Sequence, residues 1–372
     1  ARASSLANLT VMFDMCAPTF EGIVHLVEVY HASSTLIVAQ CLSFFADLAD
    51  AQCALLDPGR SCMFFNAIQA LLTVYGPGKC NLTASWSLLR RTPAALAGGA
   101  SQGKHVLGGT AEPDDVVTEV VLVLRVLSQL SNKANVDWYD FESTQQQQMA
   151  EQASRVLDMT IVLGLRAAVP SVTPNVLSYP KVCREYFKFL SFAVEAYPGR
   201  ILSGGSGGAS ALGKSVSHGA LAAISFGLQH HDTVVLRQCL RAIQEIAEHC
   251  AKNAGLVIGR DARRLPAGQA PQPVNSPALQ ELLGRLLAML LERQNVHVSE
   301  VVGDAAGTLL ALVICEQPTF ARFAQQHVAT HPDPNARASL AHAFQQLLGA
   351  GGVANNRIDR RNRTQFRKNL LG

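Results

Sequence analysis

Leu236, Leu240, Ile243, Ala247 and Cys250 recur at alternating spacings of four and three residues. That spacing places all five on one face of an α-helix, while Arg237, Arg241, Glu245 and Glu248 fall on the other. Similar amphipathic runs cover about residues 33–56, 60–75, 114–132, 146–169, 178–196, 215–229, 233–252, 276–294, 297–315, 317–329 and 334–348. Two starts carry explicit signals. Ser276-Pro277 and Asp333-Pro334 each place a capping side chain before a proline whose missing N–H costs nothing at the first helical position. The valine-rich run Val116–Leu127 is the best strand candidate. Its alternation fails, whereas Val117, Val120, Val121, Leu124 and Leu127 keep helical spacing, so it reads as helix.

No segment alternates at period two over a strand's length. The chain therefore reads as all-α, with helices of about 12–24 residues joined in pairs by short turns. Examples are 215–229 with 233–252, and 276–294 with 297–315. Each pair occupies about 40 residues, which suits a HEAT or armadillo-like solenoid of helical hairpins. One array is expected over 1–372. It carries low-complexity insertions at about 76–112, 200–213 and 254–275, where glycine, proline and polar residues replace the period. The chain also begins without methionine and in mid-pattern, and stops inside a periodic segment, which reads as a piece of a longer protein.

Composition refines this picture only slightly. Hydrophobic residues make up 48% of the 372 and charged residues 16%, enough apolar surface for a large core. The net charge of +3 is too mild to argue for a nucleic-acid surface. No apolar run reaches the length of a membrane span: Val156–Val169 is broken by Asp158 and Arg166, and Leu279–Leu291 by Glu281 and Arg285. Neither nucleic acid nor membrane is an expected partner. The nine cysteines include no C-x-x-C, and most lie in helical apolar positions, as reduced buried thiols do.

Residues 203–215 pose the one catalytic question. Gly208 to Ser215 spell G-A-S-A-L-G-K-S, which fits the phosphate-loop pattern, and Gly204 to Gly208 fit G-x-S-x-G. Both motifs work only where a strand delivers the loop and a helix follows it. Here a helical segment and a glycine-serine linker come first, so both matches read as products of low complexity. His230-His231-Asp232 lies between two helices, where adjacent side chains diverge, and is a poor metal site. No catalytic residue, cofactor site or metal site is assigned, and the chain is not expected to be an enzyme.

Five stretches carry a resemblance in a constant order. They are VLSQLSNKANVDWYDFES (126–143), LSYPKVCREYFKFLSFAVEAYPGRI (177–201), AIQEIAEHCAKN (242–253), GDAAGTLLALVICEQPTFARF (303–323) and NNRIDRRNRTQFRKNLLG (355–372). They resemble the C-terminal part of nuclear transport receptors of the importin-β superfamily, and within it the exportins. The resemblance implies a HEAT-repeat karyopherin that carries folded protein cargo through the nuclear pore. It implies Ran-GTP, cargo and nuclear pore proteins as partners, shuttling between nucleus and cytoplasm, and no active site, because Ran's nucleotide supplies the energy. The principal Ran contact would lie in repeats upstream. This chain departs from the family in being slightly basic and in the length of its insertions. A helical-repeat scaffold or adaptor outside nuclear transport is the alternative.

Two stretches are candidate contacts. Asp137, Trp138, Asp140 and Glu142 concentrate acid and aromatic groups in one loop, which suits either docking of a basic protein surface or packing of the loop onto the array. Arg357, Arg360, Arg361, Arg363, Arg367 and Lys368 form either a basic contact stripe or the solvated face of a terminal helix.

Overall fold

The computed structural model describes residues 10–30, 33–75, 113–132, 144–203, 213–254, 257–258, 276–291, 296–349, 357–358 and 360–371. These residues are almost entirely helical, as the periodicity requires. The chain divides into two compact units, Ala1–Ala220 and Leu221–Gly372.

The first unit opens with a helical stretch at residues 10–16 and a 3-10 turn at Ala17–Thr19. Then come α1 (Phe20–Tyr30), α2 (Thr35–Gln52), α3 (Pro58–Tyr75), α4 (Pro113–Ser131), α5 (Thr144–Ala168) and α6 (Pro180–Ala196). α4 settles the valine-rich run as helix. The Ser34 hydroxyl accepts the Ile37 N–H at 3.4 Å and starts α2, and proline at the first position starts α3, α4 and α6. Packing skips one helix at a time. α2 lies on α4 and α4 on α6, while α3 lies on α5. A Cβ added to Gly59 would meet Met149, and the Thr160 hydroxyl donates to the Phe65 carbonyl at 3.5 Å. Sequence thus advances together along α3 and α5, so the two run parallel. Parallel stacking of alternate helices is what a row of helical hairpins produces.

The core of this unit is aromatic at its beginning. Phe13, Phe20, Phe45 and Phe64 are buried, with Phe13 edge-on to Phe20 at 5.6 Å and to Phe64 at 6.4 Å. Such pairs add about 0.5–1.5 kcal/mol beyond burial. Residues 10–30 lie outside the periodic segments read from the sequence, and are helical nonetheless.

α7 (Lys214–Gly227) straddles the division between the units. The second unit continues with α8 (Thr233–Asn253), α9 (Pro277–Leu291), α10 (Val296–Cys315), α11 (Gln317–Thr330), α12 (Pro334–Gly349) and α13 (Arg360–Leu371). Both expected proline starts are present, and Asp333 caps α12 by accepting the Asn335 N–H at 2.9 Å. α10 is the centre of the unit, packed against α8, α9, α11 and α13. α8 and α10 are parallel and in constant register. The Thr308 hydroxyl donates to the Leu240 carbonyl at 3.0 Å, and the Cys315 thiol to the Ala247 carbonyl at 3.2 Å, both across 68 residues of sequence.

A short helix, Pro198–Ser203, takes up residues 200–203 of the second expected insertion, and residues 204–212 lie outside the described residues. The third holds a short bridge. Val257–Ile258 (β1) pairs in parallel with Arg357–Ile358 (β2), a two-residue bridge too short for any period to reveal. Among the described residues no single helix is long and apolar enough to cross a membrane. Glu300–Cys315 and Gln317–Thr330 pass such a test together but meet at 112°, and the apolarity of α10 is spent on the core around it.

Leu240 and Ile243 are both 0% exposed, on the α8 face that meets α10. Leu240→Ala is expected to cost about 2–5 kcal/mol through lost burial and a residual cavity. Urea unfolding of the variant checks this; a loss below about 1 kcal/mol would mean that the seam does not hold the unit.

Candidate interaction surfaces

The polar groups that the fold brings together join helices. Glu316, at the corner between α10 and α11, is 2% exposed. Its carboxylate accepts the Ser276 N–H at 2.7 Å, the Gln280 amide at 3.1 Å and the Thr319 hydroxyl at 3.3 Å. One side chain thereby binds the start of α9 to the start of α11. In the first unit, Asp158 of α5 accepts from the Tyr197 hydroxyl and from Arg200 at 2.8 Å, and the Arg200 guanidinium lies over the Tyr197 ring at 4.9 Å. Burial, and then the Asp158 carboxylate, hold the Tyr197 phenol well above its usual range, so it stays a neutral donor. These arrangements satisfy buried polar atoms and fix helix register. In each, the carboxylate accepts donors from other elements.

The thiols are equally quiescent. Burial pushes Cys53 and Cys315 up to about 12 and Cys250 up to about 11, with neighbouring Glu316 adding to the shift at Cys250. A thiolate is the reactive form, so these three groups are unreactive near neutrality. None of the eight described cysteines forms a disulfide.

The sequence-derived candidates divide as follows. Asp137, Trp138, Asp140 and Glu142 lie outside the described residues. So do the glycines of both loop motifs up to residue 212. Lys214 and Ser215 are exposed at the start of α7, and the Gly213 carbonyl accepts the N–H groups of Val216 and Ser217 at 2.9 and 3.2 Å. A helix, Pro180–Ala196, and the short helix after it precede the linker, and among the described residues no strand leads into the loop. Asp232 caps α8 by accepting the Val234 N–H at 2.9 Å. Among the described residues no group of three His, Cys, Asp or Glu could hold a metal ion.

The basic stripe is not one surface. Arg363 pairs with Glu248 of α8, whose carboxylate also takes the Gln244 amide at 2.9 Å. Arg367 lies so close to Gly303 of α10 that a Cβ there would meet its guanidinium at 3.0 Å. Arg361 and Lys368 remain exposed. The stripe is thus partly a set of clamps that hold α13 onto the unit, with Phe366 buried beneath.

Exposed apolar surface gathers at the start of the first unit. Val11, Met12, Met15, Leu26, Val29 and Leu36 are all exposed there. Beside them, between α1 and α3, runs an open groove of about 460 Å³. It was not legible from the sequence because residues 10–30 were not read as helix. The spacing of Phe20, Val24 and Val27, all buried, was the available signal.

Fold and surfaces together define an all-α helical-repeat protein. The chain is similar to exportin-4 of Dictyostelium discoideum, 24% identical over 220 residues, which is 58% of this chain and 17% of that protein. This points to a relationship with the exportin and importin-β-like receptors. The chain's match thus spans under a fifth of that relative's length. No protein-family model matches the chain, and no solved structure is similar to it.

Two outcomes follow for these sites. Lys214→Ala is expected to change stability by no more than about 0.5 kcal/mol, as for other exposed loop-edge residues, and neither protein should bind ATP or GTP in equilibrium dialysis. Micromolar binding abolished by the substitution would restore the phosphate loop. In thiol labelling at pH 7.5 without denaturant, Cys53, Cys250 and Cys315 should be protected until the chain unfolds. Labelling of any of them at the rate of a free thiol would show that its site opens locally.

Proposed function

We propose that this chain is the C-terminal portion of a nuclear export receptor of the exportin-4 kind, a karyopherin that carries folded protein cargo through the nuclear pore. The observation that carries the reading is the 24% identity to exportin-4 over 220 residues, and the parallel stacking of alternate helices in each unit agrees with it. Cargo, Ran-GTP and nuclear pore proteins are the partners, and nucleus and cytoplasm the compartments. The principal Ran contact falls in repeats outside the matched stretch. The chain performs no catalysis of its own.

The mechanism is linkage between two binding events. Cargo and Ran-GTP each favour one curvature of the helical stack, so each tightens the other, and by thermodynamic necessity to the same degree. Couplings of about 1–3 kcal/mol are ordinary for such systems. Hydrolysis on Ran removes one partner and lowers the affinity for the other. An array of hairpins suits this role because small changes at many seams add up to a large change of curvature.

The intact receptor should retain cargo in a pull-down more strongly with GTP-locked Ran than with Ran-GDP or none. Equal retention in all three conditions would overturn the export mechanism and favour a scaffold outside transport. Within the receptor, joint replacement of Asp137, Asp140 and Glu142 by alanine should weaken cargo or Ran binding. The effect should be largest at low salt, where surface charges are least screened. Unchanged binding at low salt would assign the loop to packing.

A further inference from the structure

We propose that Thr364 of α13 is a phosphorylation site for an arginine-directed serine/threonine kinase, and that the docking of α13 controls access to it. Thr364 is exposed, on the solvent pole of a helix held by its other side. Phe366, two residues on and about 200° around the helix, is 0% exposed. Asn369 donates to the Gln346 carbonyl of α12 at 3.5 Å. Three exposed cations stand around Thr364 at helical neighbour spacing, Arg361 one turn before it and Arg367 and Lys368 one turn after. A phosphate on its hydroxyl meets charge-assisted donors on both sides, and the helix can stay seated with the group in water.

Recognition comes from the residues before the threonine. Residues 360–364 read R-R-N-R-T, so arginines stand three and one positions ahead of the acceptor. In an extended chain Arg361 and Arg363 share one face, where a single acidic kinase groove can read both. In α13 they lie about 200° apart. Arg363 is also paired with Glu248 of α8, whose side chain is 12% exposed. Glu248 and the kinase thus compete for one guanidinium, and the extended form requires that Phe366 first leave the core. Opening this 12-residue helix costs less than unfolding the unit around it.

In the transfer, Oγ1 of Thr364 attacks the γ-phosphorus of ATP. The Oγ1–P bond forms, the bond from that phosphorus to the β–γ bridging oxygen breaks, ADP leaves with the electron pair, and the hydroxyl proton passes to the base of the kinase. The product adds about −2 charges, so a face of three cations keeps about one positive charge. Modification thereby resets the charge that α13 shows to a partner.

The test uses the full chain and a synthetic peptide of residues 355–372. Each is incubated with ATP and the catalytic domain of an arginine-directed kinase, and the phosphate is located by mass spectrometry. Both should be modified at Thr364, the peptide at least about tenfold faster because it needs no opening. Glu248→Gln should raise the rate in the full chain about threefold or more, since Arg363 loses its charged partner. Arg361→Ala should slow the peptide about tenfold or more, and Thr364→Ser should remain a substrate. Circular dichroism confirms that the Glu248→Gln chain is folded. A peptide left unmodified at Thr364, or modified equally fast with Arg361→Ala, overturns the site. So does a full chain that stays unmodified there with Glu248→Gln. A full chain modified as fast as the peptide, and indifferent to Glu248→Gln, overturns the control by α13.

Discussion

The second unit depends on the contact between α8 and α10. Two side chains of α10, Thr308 and Cys315, donate to carbonyls of α8 that already accept helical hydrogen bonds. A carbonyl has two lone pairs, so the second bond breaks nothing. It does require the helices to approach closely, and the composition of α10 permits this. Gly303, Ala305, Ala306, Gly307 and Ala311 keep the helix thin, and a Cβ on Gly307 would already meet Gln244 of α8 at 3.2 Å. The same thinness admits Arg367 of α13 over Gly303. One slender, apolar helix thus receives neighbours on several sides, and its register with α8 is fixed at two points one heptad apart.

Around such seams, buried carboxylates decide which helix ends meet. Glu316 is the clearest case. It satisfies a backbone N–H, an amide and a hydroxyl from two helices, so removing it would leave three donors without their acceptor, and the Thr319 hydroxyl among them is buried. Asp158 does similar work between α5 and the short helix at Pro198–Ser203, and Glu248 between α8 and α13. Apolar burial alone would tolerate a slip of one helix past another by a turn. A buried carboxylate with fixed partners does not, because a slip leaves charge uncompensated. These groups resemble active-site clusters in composition and differ in saturation: every oxygen of Glu316 is occupied.

Periodicity made most of the helices legible, with boundaries close to those observed from α2 to α12, because an apolar face repeats every three to four residues whatever it packs against. For the same reason periodicity is silent about partners. Nothing in the run from Leu236 to Cys250 says that its face meets 296–315 across a helix and a long insertion. Sequence neighbours read as hairpins, and the closest packing joins alternate helices, as stacked hairpins require. The role of Glu316 was hidden too: in the stretch Cys315-Glu316-Gln317-Pro318 it looks like an ordinary solvated corner. The phosphate-loop likeness was judged accidental from sequence, because the segment before it has a helical period, and the described residues leading up to 203 are helical. The groove at α1 was missed with α1 itself. The acidic-aromatic loop at 137–142 remains a reading of sequence alone.

A mild net charge conceals a strong gradient along this chain. Its first 75 residues are acidic, while residues 355–372 hold six cations and one carboxylate. Part of that basic excess is spent inside the fold, where Arg363 pairs with Glu248, so the terminal stretch is less available than its composition implies. The acidic excess is spent in the same way. Asp14 and Asp57 hold Arg60 of α3, and Arg125 of α4 joins Asp47 and Asp50 of α2. Charge that is paired within the fold orders helices, so a tally along the sequence overstates the charge that either end presents to a partner.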